Sequence, residues 1–451
     1  MAKAKTAYVC EACGAQSAKW QGQCADCGAW NTLVEARPDA VRQRAQRAQY
    51  AGRVELARLD ELAPSRVERR SSGFGEFDRV LGGGLVPGSV VLLGGDPGIG
   101  KSTLLLKALA SLAAEGPACY VTGEESLDQI ALRARRLGVG DAPIQLLAET
   151  CVDAVLGQLE RSPPAALVID SIQTLYSEAL ESAPGSVSQL RECTAQLVRF
   201  AKTHNVATLL VGHVTKEGTI AGPRVLEHMV DAVLYFESDA GSRYRIIRAV
   251  KNRFGAANEL GFFVMAEEGF REVKNPSAIF LARRSEPVPG SVTLVTREGS
   301  RPILVEVQAL VDQSLGTHPR RLAQGFDPGR LGLLLAVLHR HCGIHVGDCD
   351  VYANIVGGLR VTETASDLAI VLAVLSSFRE RPLPERLAVF GEVGLTGEIR
   401  PVPFGEERVI EAEKHGFDRV VVPRANRPRR DGRVDVIAVE KLIDAVDALF
   451  G

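Results

Sequence analysis

The sequence lacks a strongly basic coat: Lys and Arg total 53 against 55 Asp and Glu, a formal net charge of -2. Any contact with nucleic acid must therefore come from local patches. It also lacks the roughly 20 consecutive apolar residues that a membrane-spanning helix requires. The opening MAKAKTAYVCEAC contains no apolar h-region, so no secretory signal is read there. No internal repeat with a period of about 20–50 residues is visible. These absences give the expectation of a cytoplasmic protein with no membrane partner. Hydrophobic residues at 46% and charged residues at 24% lie near globular averages, which excludes global disorder and a collagen-like fold. A chain of 451 residues can bury several cores without disulfides. In a reducing compartment its nine cysteines are better explained by metal or burial.

Residues 36–57, rich in Arg, Gln and Ala without a sustained apolar period, read as a solvated linker. From about residue 70 apolar runs alternate with helical patterns. VVLLGG (90–95), ACYVTG (118–123), AALVIDS (165–171), VATLLVG (206–212) and DAVLYFE (231–237) read as buried strands of an α/β sheet. RSEPVPGS (284–291) reads as a hinge. SVTLVT and PILVEVQALV then open a second α/β region, which continues through three helical stretches, LGLLLAVLHRH, SDLAIVLAVLSSF and KLIDAVDALF.

Four cysteines form two CxxC pairs, Cys10/Cys13 and Cys24/Cys27, separated by ten residues. Two such knuckles offer four thiolates to one tetrahedral zinc ion, leaving no open ligand position, so the expected metal is structural. The bland alternative is two unrelated pairs of buried or redox cysteines, which the doubled spacing disfavours. Lys19, Trp20 and Trp30 are too few to show what such a module touches.

Residues 95–103, GDPGIGKST, match GxxxxGK[ST] between an apolar strand and a helical stretch. That context makes Gly95, Asp96, Pro97, Gly98, Ile99, Gly100, Lys101, Ser102 and Thr103 a candidate nucleotide cradle. Backbone N–H groups would approach phosphate oxygens, Lys101 would reach the β- and γ-phosphates, and Ser102 would bind Mg²⁺. Asp170 ends the strand LVID, as a Walker B carboxylate should, and would hold Mg²⁺ through its water shell; alone it also reads as a common strand-ending aspartate. Glu124 and Glu125 follow the intervening strand; one of them is placed to orient the attacking water, the other reading being an exposed helix cap. His213 ends LLVGH and reads either as a γ-phosphate sensor or as an ordinary strand-end histidine.

SGFGEFDRVLGGGLVPGSVVLLGGDPGIGKSTLL resembles the start of a RecA-type ATPase core, and Lys251-Asn252-Arg253-Phe254-Gly255 resembles the KNRFG signature of the bacterial RadA (Sms) family of recombination and DNA-repair proteins. The order of parts is similar too, and the resemblance covers essentially the whole chain. It implies a four-cysteine zinc ribbon over 1–34, a linker over 35–57, a RecA-like P-loop ATPase domain over 58–283 and a Lon-protease-like α/β domain over 284–451. It further implies an ATP- and Mg²⁺-dependent, DNA-dependent ATPase. Such a protein would act as a homo-oligomer, a hexameric ring, on single-stranded DNA and branched recombination intermediates, beside the recombinase RecA. By the same resemblance Glu124 is the catalytic glutamate, and Lys251 and Arg253 are fingers reaching a neighbour's γ-phosphate. Without the family, KNRFG would also read as a strand-to-turn cap. The segment 214–226 resembles a DNA-binding loop carrying Lys216 and Arg224, and 176–191, ending at Arg191, is a second candidate; both also read as plain solvated loops.

RLAVFGEVGLTGEIRP (386–401) resembles the Lon proteolytic domain, whose chemistry needs a Ser–Lys dyad. Laying ETASDLAI on the nucleophile segment puts Ala365 at the serine position, with Ser366 next to it. The lysine position falls on Glu406, and Lys414 lies about two helical turns further on. A methyl group cannot attack a carbonyl, and a carboxylate cannot replace the activating lysine. The domain is therefore expected to be catalytically inactive, a scaffold for ring assembly, with the basic stretch Pro423–Arg433 read either as a DNA surface or as a merely solvated run. The competing classes are an ATP-dependent Lon-like protease, opposed by Ala365 and Glu406, and a KaiC-like ATPase switch, which leaves the cysteines and KNRFG without a purpose.

Overall fold

The computed structural model describes residues 7–10, 16–17, 19–25, 28–36, 68–213, 224–238, 244–281, 286–316, 318–429 and 432–451. Most of the expected linker, part of the expected hinge, Cys13, Cys27 and Lys216 lie outside these. The chain divides into two compact units: residues 1–238, 243–257 and 263–272 form one, and 239–242, 258–262 and 273–451 the other.

At the N-terminus, β1 (Ala7–Cys10) pairs antiparallel with β2 (Gln16–Ser17) and with β3 (Leu33–Ala36). Their shared core is tiny, with Cys10, Cys24 and Leu33 buried and Tyr8 packed against them.

The first unit then builds α1 (Gly75–Leu81), β4 (Val90–Gly95), α2 (Lys101–Ala113), β5 (Ala118–Thr122), α3 (Leu127–Arg136), β6 (Ile144–Ala148), α4 (Val152–Leu159) and β7 (Ala166–Asp170). It continues with α5 (Val187–His204), β8 (Ala207–His213), α6 (Arg224–Met229), β9 (Ala232–Glu237), β10 (Tyr244–Asn252), β11 (Leu260–Ala266) and β12 (Gly269–Glu272). The sheet order is β12-β11-β10-β9-β4-β8-β7-β5-β6. From β9 to β6 every pairing is parallel, so β4 lies between β8 and β9, and β8 separates it from β7. Each face of the sheet carries its own apolar core. The five apolar runs expected as strands are β4, β5, β7, β8 and β9, buried on both faces as a parallel sheet demands. The sequence reading missed β6 and the β10–β12 extension. β6 is only half-buried and β10 mixes charged with apolar residues, so neither reads as a continuous apolar run, while β11, LGFFVMA, is an apolar run that the reading passed over. Helix starts follow local chemistry: Ser126 and Gln129 close a capping box on α3, and the Ser186 hydroxyl accepts the Gln189 amide on α5. Cys119 and Cys193 are core residues, and burial pushes their thiols up to about 11 and about 12. Burial, not metal, accounts for them.

The second unit comprises α7 (Ser277–Phe280), β13 (Ser291–Glu298), β14 (Arg301–Gln313), β15 (Arg321–Gln324), α8 (Pro328–Cys342), β16 (Cys349–Ile355), α9 (Asp367–Phe378) and β17 (Leu387–Val389). After these come β18 (Glu392–Val393), β19 (Ile399–Arg400), α10 (Gly405–Lys414), β20 (Arg419–Pro423), β21 (Asp435–Val439) and α11 (Leu442–Phe450). Seven strands form a mixed sheet in the order β15-β16-β14-β13-β17-β20-β21, with β18 and β19 as a separate hairpin. The three helices expected here are α8, α9 and α11. Residues 367–376 of α9 are all buried, so its near-continuous apolar sequence makes it the central helix of the unit. The fold is thus the expected one, a RecA-like P-loop core and a Lon-like α/β domain preceded by a small ribbon.

Candidate active site

The parallel sheet places the C-terminal ends of β4, β5, β7 and β8 side by side, and each ends on a chemistry-bearing segment. β4 runs into the loop 95–100, where Gly95, Gly98 and Gly100 adopt φ of 155°, 78° and 113°. Two of those values are left-handed and the third borders that region, so the loop needs residues without a Cβ. Asp96, Pro97 and Gly98 are exposed, while Ile99 is buried in the core and anchors the loop. Gly100 caps α2, so Lys101, Ser102 and Thr103 form its first turn, with backbone N–H groups unpaired within the helix. An anion seated over the loop would meet these amides and the positive end of α2.

Lys101 is 4% exposed. Its Nζ donates to the Gly95 and Asp96 carbonyls at 2.7 and 2.9 Å, and to His213 Nδ1 at 3.4 Å. Burial pushes its amine below the ordinary lysine range, against the opposing pull of Asp170, Glu124 and Asp96. The cation is thus held at the loop by weak neutral acceptors that phosphate oxygens can replace.

Glu124 and Glu125 part company. Glu124 Oε1 accepts from the Ser171 hydroxyl at 2.5 Å and lies 3.1 Å from His213 Nε2. Glu125 instead pairs with Arg133 on α3. Glycine at 123 is what permits this arrangement: a Cβ there would lie 2.1 Å from Thr174 Oγ1. The end of β5 can therefore approach the turn after β7 closely enough for Glu124 to meet Ser171. Asp170 is buried and accepts from the Tyr120 phenol on β5. Neither Tyr120 nor Ser171 was singled out in the sequence, since a tyrosine inside an apolar strand and a serine after an aspartate carry no distinguishing pattern. Lys101, Glu124, Asp170 and His213 are thus gathered at one end of the sheet. A cation-lined loop, a buried carboxylate and a second carboxylate beside a histidine can bind a Mg²⁺-nucleotide and orient a water against it. The donor set is oxygen-rich, as Mg²⁺ prefers.

Lys251 and Arg253 are elsewhere. In β10, Lys251 and Asn252 face Val233 and Ala232 at the start of β9, and Ala232 neighbours Val91 at the start of β4. They therefore lie at the opposite end of the strands from the phosphate loop, a strand length of ~17 Å away. Lys251 Nζ donates to the Glu227 and Val230 carbonyls at 2.6 and 2.8 Å, capping the C-terminal end of α6. Its amine is pushed down by burial and by Arg253, with Asp231 and Glu227 opposing. Arg253 is held 3.3 Å from Asp231. Arg224 begins α6. The candidate loop 176–191 is organised by buried Gln189, whose amide donates to the carbonyls of Ser177, Leu180 and Ser182, while Arg191 is exposed.

In the N-terminal module Cys10 and Cys24 are buried together. Cys24 opens a knuckle in which Gly28, at φ 71°, donates its amide to the Cys24 carbonyl. Two thiols buried together, one of them on a knuckle turn, fit a zinc-thiolate site. In the second unit, Ala365 and Ser366 sit buried in a short 3₁₀ turn, and the Ser366 hydroxyl donates to the Glu363 carbonyl at 3.0 Å. Glu406 is exposed in the first turn of α10, and Lys414 pairs with Glu411.

Comparison with known proteins agrees with this layout. A family model described as an AAA domain matches residues 55–219, one described as a rubredoxin metal binding domain matches 8–35, and one described as subunit ChlI of Mg-chelatase matches 339–426. Among curated proteins, the DNA repair protein RadA of Pseudomonas aeruginosa is 58% identical over 452 residues, covering all of both chains. That of Escherichia coli is 54% identical with 99% of each covered, and that of Bacillus subtilis is 47% identical over the whole of both.

Proposed function

Because the chain belongs to the RadA family of DNA repair proteins, we propose that it is an ATP-driven motor that promotes branch migration of recombination intermediates on single-stranded DNA. Its ATPase domain and its place in DNA repair come with the family; the motor, its oligomer and its residue roles are our reading. The observation that carries it is the two-ended sheet. The phosphate loop, Glu124, Asp170 and His213 sit at one end of the parallel strands and KNRFG at the other. A finger at that distance from its own nucleotide site is suited to serve a neighbour's, which favours a closed homo-oligomer, a hexameric ring.

In this reading the backbone N–H groups of residues 95–103, which Pro97 alone lacks, and the Lys101 ammonium hold the β- and γ-phosphates. Ser102 and Asp170 would hold Mg²⁺, which would neutralise phosphate charge. Tyr120 keeps the Asp170 carboxylate oriented. Glu124, freed from His213 as the γ-phosphate draws Lys101 forward, orients water for in-line attack and takes up its proton. His213 senses the γ-phosphate and passes its presence to the segment that follows, where Lys216 and Arg224 meet DNA. Arg253 and Lys251 stabilise charge developing at the neighbour's phosphate. Cys10, Cys13, Cys24 and Cys27 hold zinc, and RecA is the recombinase partner. The Ser366 hydroxyl is engaged with a backbone carbonyl, which supports a Lon-like domain retained as a scaffold without peptidase activity. Measuring ATP turnover with and without single-stranded DNA tests the motor. The expected result is a several-fold rise that fades as salt screens the phosphate contacts. Turnover indifferent to DNA would replace the motor with a nucleotide switch.

A further inference from the structure

Asp231 is 4% exposed and stands where β9 begins, in contact with three residues on separate segments. Its Oδ2 accepts from the Val90 amide at 3.0 Å, and its own amide donates to the Val90 carbonyl at 2.9 Å. The same Oδ2 accepts from Lys202 Nζ on α5 at 2.5 Å. Its Oδ1 lies 3.3 Å from Arg253 Nη1, and its carbonyl accepts the Arg253 amide at 3.1 Å. Val90 is the first residue of β4, the strand that ends in the phosphate loop. One buried carboxylate thus fixes both the base of a subunit's own phosphate-loop strand and the arginine it presents outward. The Arg253 side chain remains 59% exposed, tethered through one nitrogen with the rest of its guanidinium on the surface.

We propose that Asp231 is a positioning residue for the neighbouring site: it holds the Arg253 guanidinium in its outward pose and ties it to the phosphate-loop strand of its own subunit. This rests on the reading that Arg253 acts in trans. A long arginine with most of its length in water loses side-chain entropy whenever it docks. A buried, doubly hydrogen-bonded carboxylate at its base removes much of that cost in advance. Lys202, 47% exposed, shares the carboxylate and offsets its charge, so Asp231 is stable buried whether Arg253 is docked or not.

Asp231→Asn tests this, since an amide oxygen can still accept the Val90 amide while the charge that holds Arg253 is gone. Turnover should fall tenfold or more, with affinity for a non-hydrolysable ATP analogue within about twofold of wild type. Mixing subunits then locates the defect. Asp231→Asn mixed with Lys101→Ala should recover activity, because the second subunit lends an intact finger to the first one's intact loop. Asp231→Asn mixed with Arg253→Ala should not, because both lack a working finger. The reverse pattern, recovery with Arg253→Ala and none with Lys101→Ala, would place the damage in the variant's own phosphate loop and overturn the proposal, as would wild-type turnover in Asp231→Asn when Arg253→Ala is slow. If Arg253→Ala itself turns over at the wild-type rate, the trans finger fails, and this inference with it. Asp231→Ser, which keeps an oxygen near the Val90 amide, repeats the series should the asparagine variant not fold.

Discussion

Two adjacent glutamates, identical in chemistry, are separated by what they touch. Glu124 faces Ser171 and His213 beside Lys101, while the Glu125 carboxylate is taken by Arg133 and its backbone by the Thr122 hydroxyl. Glu124→Gln should therefore bind nucleotide normally and lose ATP turnover by a factor of about 10²–10⁴, the range for a positioned proton acceptor. Glu125→Gln removes a partly exposed ion pair worth ~0–1 kcal/mol and should leave turnover within about twofold. Steady-state hydrolysis and analogue binding on the two variants check both statements, and equal losses in the two would remove Glu124 from its special place. The sequence narrowed the choice to this pair on its own, and only the resemblance favoured Glu124. What picks it out physically is a glycine at 123 that admits Thr174, a contact between residues some fifty positions apart that no local pattern reveals.

At the scale of elements, the second unit holds an ion pair where the Lon resemblance placed a dyad. Arg408, 1% exposed on α10, makes two bonds to Glu363 at 2.8 and 2.7 Å and donates to the Val295 carbonyl at 2.7 Å. Glu363 also accepts from Thr296 Oγ1 and the Arg297 amide, so the segment leading to Ala365, strand β13 and helix α10 are joined at one carboxylate. Arg408→Ala orphans that carboxylate and should cost about 3–5 kcal/mol in denaturant unfolding of this unit. Burial works to raise the Glu363 carboxyl, but the Arg408 guanidinium, with help from Thr296 and the Arg297 amide, outweighs it and holds the group below its ordinary range. A carboxyl held down in the folded state contributes stability above its unfolded value, and that contribution is lost as pH falls through the lowered folded value. Glu363→Gln should therefore be most destabilised at neutral pH and converge on the wild type in acid; a constant difference across pH would mean that the charge is immaterial. The apolar runs of β4, β5, β7, β8 and β9 were legible in sequence, as were helices α8, α9 and α11. Strand β10 was not, because its charged residues, Lys251 among them, serve positions that only the assembled sheet defines, and the apolar run of β11 was passed over. Arg408 was hidden for the same reason: an arginine in a charged helical stretch reads as surface until its partners are placed.

For the molecule as a whole, the parts differ in what can hold each of them together. The nine-stranded sheet carries an extensive apolar core on each face, and the seven-stranded sheet wraps α9, buried along most of its length. Among its described residues, the N-terminal module buries Cys10, Cys24 and Leu33, with Tyr8 beside them. At ~1.5–3 kcal/mol for each large apolar side chain, that core cannot offset the ordering of the surrounding backbone, which costs about 1–2 kcal/mol per residue. Thiolate coordination, worth about 10–16 kcal/mol in model zinc fingers, would close the gap. The ordered domains were readable in sequence because each has its own chemistry: doubled CxxC for the ribbon, the phosphate loop for the core, and the Lon-like strand–turn–strand for the last unit. The tie between Arg253 and the phosphate-loop strand was not readable, since Asp231 is one aspartate among many until its three partners, Val90, Lys202 and Arg253, are drawn to it. The modular energetics lead to a sharp expectation for Cys24→Ser. The variant should bind no zinc by metal analysis, and proteolysis should remove its first thirty or so residues rapidly. Its thermal transition, followed through the buried aromatic residues of the two large units, should remain within about 1–2 °C of wild type, because the cores of those units contain none of the ribbon's residues. A Cys24→Ser protein whose main transition drops by ten degrees or more would show that the ribbon is structurally coupled to the ATPase unit and does not fold as a metal-held module of its own.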